Sequence, residues 1–469
     1  MSTPKLPKAA SRLFPWLGFA LLIMIAIIGY LGYAMMTDAN RGDQAGSDEK
    51  SSERHGLEPL PVVNAIAYSP DLAPQLSSRM RDWKGLIRVD VTPAKLESSL
   101  SIEKGCVVSV FTSTGNRVDT IRDRSMSNAS PKIESGALFL DATDVRYGGD
   151  VANKSSLDAP LGRAESLLEI TPQEDGAIWV GEHCYRGSLR ILLVDGKIRM
   201  VNVVGMEDYI ASVIDSEMPA TFSQRGRQAQ AIVARSYALY HILTAPREAV
   251  SDVNDTTRHQ RYLGYQYRGK DGRKFAGETK SGRAIADSTK GMICVHRGDV
   301  LLTYFSACCG GTNNRLPEMY RDFSSAYHRQ EDPFCRDAPV YHWVETVSQE
   351  RFLEELRRAE PKRNWGAVFQ GIQRSGSGET GSFEVELNPG RRQSISAERL
   401  QRIFSLRSSF LDVEAKDGAI VFKGEGHGHS VGLCQWGANL AGQQGKSAEE
   451  ILDFYYDDIE LMRLPERGE

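Results

Sequence analysis

The chain has 469 residues, of which 41% are hydrophobic and 25% charged, with a formal net charge of -4. That length allows two or three domains or one elaborated domain, and the composition is that of a globular protein. The small negative charge excludes bulk electrostatic binding to nucleic acid, which needs a strong basic surplus.

Residues 13–37 (LFPWLGFALLIMIAIIGYLGYAMMT) contain no charged side chain. At a rise of about 1.5 Å per residue they are long enough to cross a hydrocarbon core of about 30 Å as a transmembrane helix. Lys5, Lys8 and Arg12 precede the run, whereas Asp38, Asp43, Glu49 and Lys50 follow it. The expectation is a cytoplasmic tail over 1–12 and an extracytoplasmic remainder on a single-pass cell-membrane anchor. A cleaved signal peptide is the alternative, although the run exceeds an ordinary signal core and no clear A-x-A site follows. Residues 38–83 open with a polar, Gly- and Ser-containing stretch and read as a flexible stalk.

From about residue 84 the pattern changes. GLIRVDV, CVVSVFT, LRILLV and KIRMVNV are short apolar runs bounded by turn residues, and predict strands. MEDYIASVIDSE carries Met206, Ile210, Val213 and Ile214 at helical spacing, and Pro219 stops that helix just beyond Glu217. RQAQAIVARSYALYHIL is Ala-rich with one continuous apolar face, which predicts a buried helix. A polar loop (SDVNDTTRHQRYLGY), a strand pair around GMICVHRGDVLLTYFSA and a CCGGT turn follow. Residues 349–359 and 397–406 predict amphipathic helices, residues 424–437 a Gly/His loop, and SAEEILDFYY a last helix. Ser447 with Glu450 three residues on forms a capping-box pattern for that helix. Strands and helices do not alternate as βαβ units, so the expected class is α+β.

Glu217 is the first candidate for chemistry. A carboxyl at a helix C-terminus, flanked by apolar groups, is disfavoured as an anion, and a raised pKa suits a general acid. An ordinary surface carboxylate at a helix end fits the same pattern. Arg235 falls within the Ala-rich helix, where a guanidinium must be ion-paired or line a cavity. Gln230 and Tyr237 lie on the same helix. In the late Gly/His segment, His427 and His429 could contact backbone or substrate, or bind a metal. Without a third obvious ligand the expectation is no metal and no cofactor. Gln435 and Trp436 offer a hydrogen bond and a stacking face for a sugar, unless Trp436 is a core residue.

Seven cysteines leave at least one unpaired. A bridge from Cys308 or Cys309 to Cys335 would close a loop and stabilise it by about 3 kcal/mol. A nucleophilic thiol with a histidine base is the rival reading. No C-x-x-C occurs, which speaks against a ribbon-type zinc site.

Taken together, these segments resemble the SpoIID/LytB family. The stretch VVGMEDYIASVIDSEMPATFSQRGRQAQAIVARSYAL resembles its core, LTYFSACCGGTNN its "y.S..GG.T" turn, FCRDAPVYHW its "C..sP.y.W" stretch, and GEGHGHSVGLCQWGANLAGQQGKSAEEILDFYY its C-terminal signature. The four blocks occur in family order. They imply one SpoIID/LytB-like domain over 84–465, with a core at 196–315 and the Gly/His motif within 420–460. The resemblance further implies a peptidoglycan lytic transglycosylase acting on muramyl glycan strands. Glu217 would be its single acid/base, Arg235 a second catalytic-site residue, and Gln230, Tyr237, His427, His429, Gln435 and Trp436 substrate contacts. The alternative it implies is a non-catalytic wall-binding module that enhances a cell-wall amidase, which would then be a partner. Two departures stand out. Arg225 and Gln228 replace the family's usual Glu and Lys, and NDTTRHQRYLG lacks the cysteines with which some members bind zinc, so no zinc is expected there.

Overall fold

In the computed structural model, residues 74–465 are described, except 98, 113–116, 124–125, 135–136, 142–145, 149–165, 257, 314–325, 367, 376–380 and 389–390. The expected membrane helix and most of the stalk lie outside the described residues. Among the described residues no helix is long and apolar enough to cross a membrane. Chain contacts divide the molecule into two units, and the second runs over Leu57–Met218 and Phe222–Glu469. All elements below belong to the second unit, and they mix strands and helices as the α+β expectation states.

The first part of that unit is built on two sheets. Leu86–Asp90, Lys197–Gly205, Ser188–Val194, Ser166–Pro172 and Cys106–Thr112 pair antiparallel in that order, within a sheet of seven strands. The second sheet has eight strands and includes Leu100–Ile102, Ile178–Val180 and His183–Tyr185. Alternation drives the packing: in Leu86–Asp90, Ile87 and Val89 are fully buried and Leu86 is exposed. Ile87, Val89, Val108, Ile170 and Ile191 belong to one core. Each such side chain contributes on the order of 1.5–3 kcal/mol by leaving water.

Eight α-helices are described. They are α1 (Pro74–Asp82), α2 (Met206–Glu217), α3 (Gln224–Thr244), α4 (Lys280–Ser288), α5 (Gln349–Ala359), α6 (Ala397–Phe404), α7 (Gln435–Gln443) and α8 (Ala448–Tyr455). Helix α2 starts where strand Lys197–Gly205 ends and stops at Met218, whose backbone is extended as expected before Pro219. Helix α3 begins on Ser223, whose Oγ accepts from Gly226 N–H. It is a two-faced core helix. Ala231, Ala234 and Ala238 pack into the sheet core, whereas Ala229, Ile232 and Val233 pack into a second core with Val431, Leu433 and Ile451. Small residues let it lie close to α7: a Cβ at Gly226 would sit 2.8 Å from the Ala438 carbonyl oxygen.

The strand Met292–His296 is buried throughout and pairs with Ile459–Arg463. Residues 342–425 build a third core from Trp343, Phe352, Trp365, Phe383 and Phe422, with α5 and α6 and two three-stranded sheets. The late Gly/His segment differs from its reading as a continuous loop. Leu433–Cys434 is a strand parallel to Phe305–Ser306, and α7 starts at Gln435. Helix α4 was not legible, because LysSerGlyArg opens it with little apolar content.

Candidate functional site

Helix α2 carries four carboxylates, and their partners separate them. Glu207 binds Arg235, Asp208 binds Arg283 at 2.6 Å, and Asp215 binds Arg227 at 2.5 Å. Glu217 has no ion pair among the described residues. Its Oε1 accepts the backbone N–H of Arg261 at 2.7 Å, and its Oε2 accepts Gln435 Nε2 at 3.4 Å. Burial pushes its carboxyl above the ordinary range, and the two hydrogen bonds only partly offset that. A partly buried carboxyl with a raised pKa holds its proton more readily than an exposed carboxylate, as a general acid must.

Two remote elements present these donors. Gln435 is the first residue of α7, with Cys434 as N-cap. The loop after Asn254 is pinned by Gln260, which accepts from Tyr209 Oη at 3.0 Å and donates to the Ala234 carbonyl at 3.3 Å. Arg261 follows directly and offers its amide to Glu217. The same loop carries Asp255, whose carboxyl burial pushes up to about 6. Arg261, Gln260, Tyr209 and Asp255 escaped the sequence reading. The clue available was a Gln and a Tyr within a polar loop, the kind of side chain that anchors a loop on a buried helix.

The remaining candidates separate into contacts and structure. Arg235 is fully buried, and its donors go to Glu207 at 3.0 and 2.6 Å and to the Met292 carbonyl at 3.0 Å. It is thus a structural ion pair and not a residue beside Glu217, because a guanidinium in an apolar helix face needs a local carboxylate. Gln230 is also fully buried, and neither of its amide atoms has a hydrogen-bond partner among the described residues. Tyr237 is 7% exposed and packs with His241 at 4.5 Å and, edge-on, with Phe305 at 6.4 Å. Both expected substrate contacts on α3 therefore face the interior.

His427 is exposed, and its backbone bridges to Cys308 in both directions. His429 accepts Val431 N–H on Nδ1 at 3.1 Å, and burial pushes its pKa down to about 4. It is neutral and serves to fix the loop, so the pair does not act as a two-imidazole face. Trp436 packs its ring on Phe222 at 4.7 Å and donates its backbone N–H to Ala307.

The cysteines come together without bonding. Cys308, Cys309, Cys335 and Cys434 are free and buried, and Cys309 Sγ lies 3.5 Å from Cys335 Sγ, well beyond the 2.05 Å of a disulfide. Cys434, which the sequence reading did not include, joins them. The nucleophilic-thiol reading also fails, because Cys308 and Cys309 are fully buried and their thiols are pushed up by hydrogen bonding within the cluster.

The fold and site thus define a class: an α+β protein with one unpaired, protonatable carboxyl at a helix end, held by a loop amide and a helix-start carboxamide. Comparison with known proteins narrows it. Residues 194–296, which span α2, α3 and the strand Met292–His296, match the SpoIID family described as "Stage II sporulation protein". The chain is 28% identical over 282 residues to an uncharacterized protein of Brachyspira hyodysenteriae, covering 59% of this chain and 72% of the relative. It is 25% identical to stage II sporulation protein D of Bacillus subtilis, over 56% of this chain and 75% of that protein. It is 24% identical to a protein of the same organism named amidase enhancer, over 54% of this chain and 40% of that one. These similarities support assigning the chain to the SpoIID/LytB family.

Proposed function

We propose that this chain acts on the bacterial cell wall as a peptidoglycan lytic transglycosylase, with Glu217 as the single acid/base. The observation that carries the reading is Glu217 itself, the carboxyl of α2 without an arginine partner among the described residues. Protonated Glu217 gives its proton to the glycosidic oxygen as the muramyl C1–O bond breaks. The resulting carboxylate takes the proton of the same sugar's 6-hydroxyl as that oxygen bonds to C1. The product is a 1,6-anhydro-muramyl end, and no water is consumed. Arg261 N–H and Gln435 stabilise the carboxylate between the two steps. Anchorage through residues 13–37, with the folded part outside the cytoplasm, belongs to the same proposal.

A second reading is favoured by the relative named amidase enhancer. In it the chain binds glycan and a cell-wall amidase without cleaving. Product analysis on purified, stem-peptide-free glycan separates the two. Anhydro ends that vanish in Glu217→Gln, with folding and glycan binding retained, support the first. Reducing ends would make the protein a hydrolase, and absence of cleavage would leave the binding reading.

A further inference from the structure

The buried cysteines form a convergent site that glycan cleavage does not use. Cys309, Asp332, Cys335 and Cys434 each turn one ligand atom inward, all four atoms lie within 4.8 Å of one another, and all four residues are buried. They come from three separate parts of the chain. Cys309 is in the turn after Phe305–Ser306, Asp332 and Cys335 flank the start of the short 3₁₀ turn Phe334–Asp337, and Cys434 caps α7. We propose that this cluster is a structural zinc-type site, a single tetrahedral dication held by Cys309, Cys335, Cys434 and Asp332.

The spacing fits one ion. Metal–sulfur bonds of about 2.3 Å in a tetrahedron put ligand atoms about 3.8 Å apart. Cys309 Sγ is 3.5 Å from Cys335 Sγ and 3.1 Å from Asp332 Oδ2. An iron–sulfur cluster inserts its own atoms between thiolates and needs a wider set.

The surroundings are arranged for thiolates. Cys434 Sγ receives two backbone N–H groups, from Cys309 and from Gly437, each at 3.3 Å, at the N-terminus of a nine-residue helix. Amide donors on ligand sulfurs are the outer shell that orients a metal's ligands. Asp332 is 1% exposed, and no cationic side chain pairs with it among the described residues. Its Oδ2 accepts Tyr455 Oη at 3.0 Å, and its Oδ1 accepts Phe334 N–H at 2.9 Å. A buried carboxylate with no cation is costly, and a dication removes that cost. Glycine at 437 permits the approach, since a Cβ there would lie 2.0 Å from Tyr455 Oη and 2.6 Å from Asp332 Oδ2.

Binding would release the protons of the three thiols and tie the three segments together. Cys434 adjoins Gln435, so the ion would fix the start of α7 and with it one donor to Glu217. The site departs from the expectation of no metal, which weighed local C-x-x-C spacing; here the ligands are distant in sequence.

The test uses the full chain, purified without chelator, and measures metal by elemental mass spectrometry together with intact mass. The expected result is about one zinc per chain and an intact mass with Cys309, Cys335 and Cys434 unbridged. Cys335→Ser and Cys434→Ser should lose the zinc, while Cys106→Ser, outside the cluster, should keep it. If the ligand variants fail to fold, cobalt exchanged into the wild type should show thiolate charge-transfer and tetrahedral d–d absorption. Folded wild-type protein without zinc that takes up none would overturn the proposal. So would a mass reduced by disulfide formation with Cys309 linked to Cys335, or bound cobalt without thiolate absorption.

Discussion

Replacing Arg235 with methionine asks whether this arginine works in folding or in chemistry. Its guanidinium is fully buried and makes a two-pronged contact with Glu207, at 3.0 and 2.6 Å, plus a hydrogen bond to the Met292 carbonyl. The Arg235→Met side chain fills similar space but leaves Glu207, among the described residues, with only Gly291 N–H, at 3.2 Å. Breaking a fully buried pair costs about 3–5 kcal/mol; because Glu207 keeps 23% of its side-chain surface, about 2–4 kcal/mol is expected here. Adding Glu207→Gln removes the stranded charge while retaining an acceptor for Gly291. The double variant should therefore be more stable than the sum of the singles by about 1–3 kcal/mol. Urea unfolding of the four proteins measures the cycle. Glycan cleavage per folded molecule should stay near wild type in Arg235→Met. Wild-type stability with lost cleavage would return Arg235 to the chemistry, and additive singles would remove the ion pair from the account.

Three further outcomes follow from the same geometry. Gln435→Ala removes a hydrogen bond that favours the Glu217 carboxylate, so the pH–rate limb assigned to Glu217 should move to higher pH; an unmoved limb would separate the two residues. His241 has its pKa pushed down to about 4 by burial, with His259 adding to it. The unfolded chain takes up a proton there below about 6.5 and the folded chain does not until about 4, so stability is present above that window and is lost as pH falls through it. His241→Phe should flatten the stability profile across that window by up to about 2 kcal/mol, after allowing for partial exposure, and an unchanged slope would refute the assignment. Ser447→Ala breaks the observed capping box of α8 and should cost about 1 kcal/mol in urea unfolding, with Ser447→Gly costing less.

What the sequence determined by itself was local. The stripe Met206, Ile210, Val213 and Ile214 with Pro219 beyond it placed α2 and its end at Glu217, and the Ser447–Glu450 pair placed the cap of α8, because spacing and capping act within a few residues. The Ala-rich run placed α3 as a buried helix, but not which side chains pointed where. Arg235 was open between ion pair and cavity until Glu207 was brought beside it. Gln230 and Tyr237 looked like available polar groups until two cores closed on both faces of that helix. The donors to Glu217 come from residues 44 and 218 positions away, and the thiols of Cys309, Cys335 and Cys434 meet across 125 residues. Such convergence depends on how strands pair and helices pack, which no local pattern of residues encodes. Glu217 was nameable from its own segment; that it lacks, among the described residues, the arginine given to each of the other carboxylates on its helix was decided only by the tertiary structure.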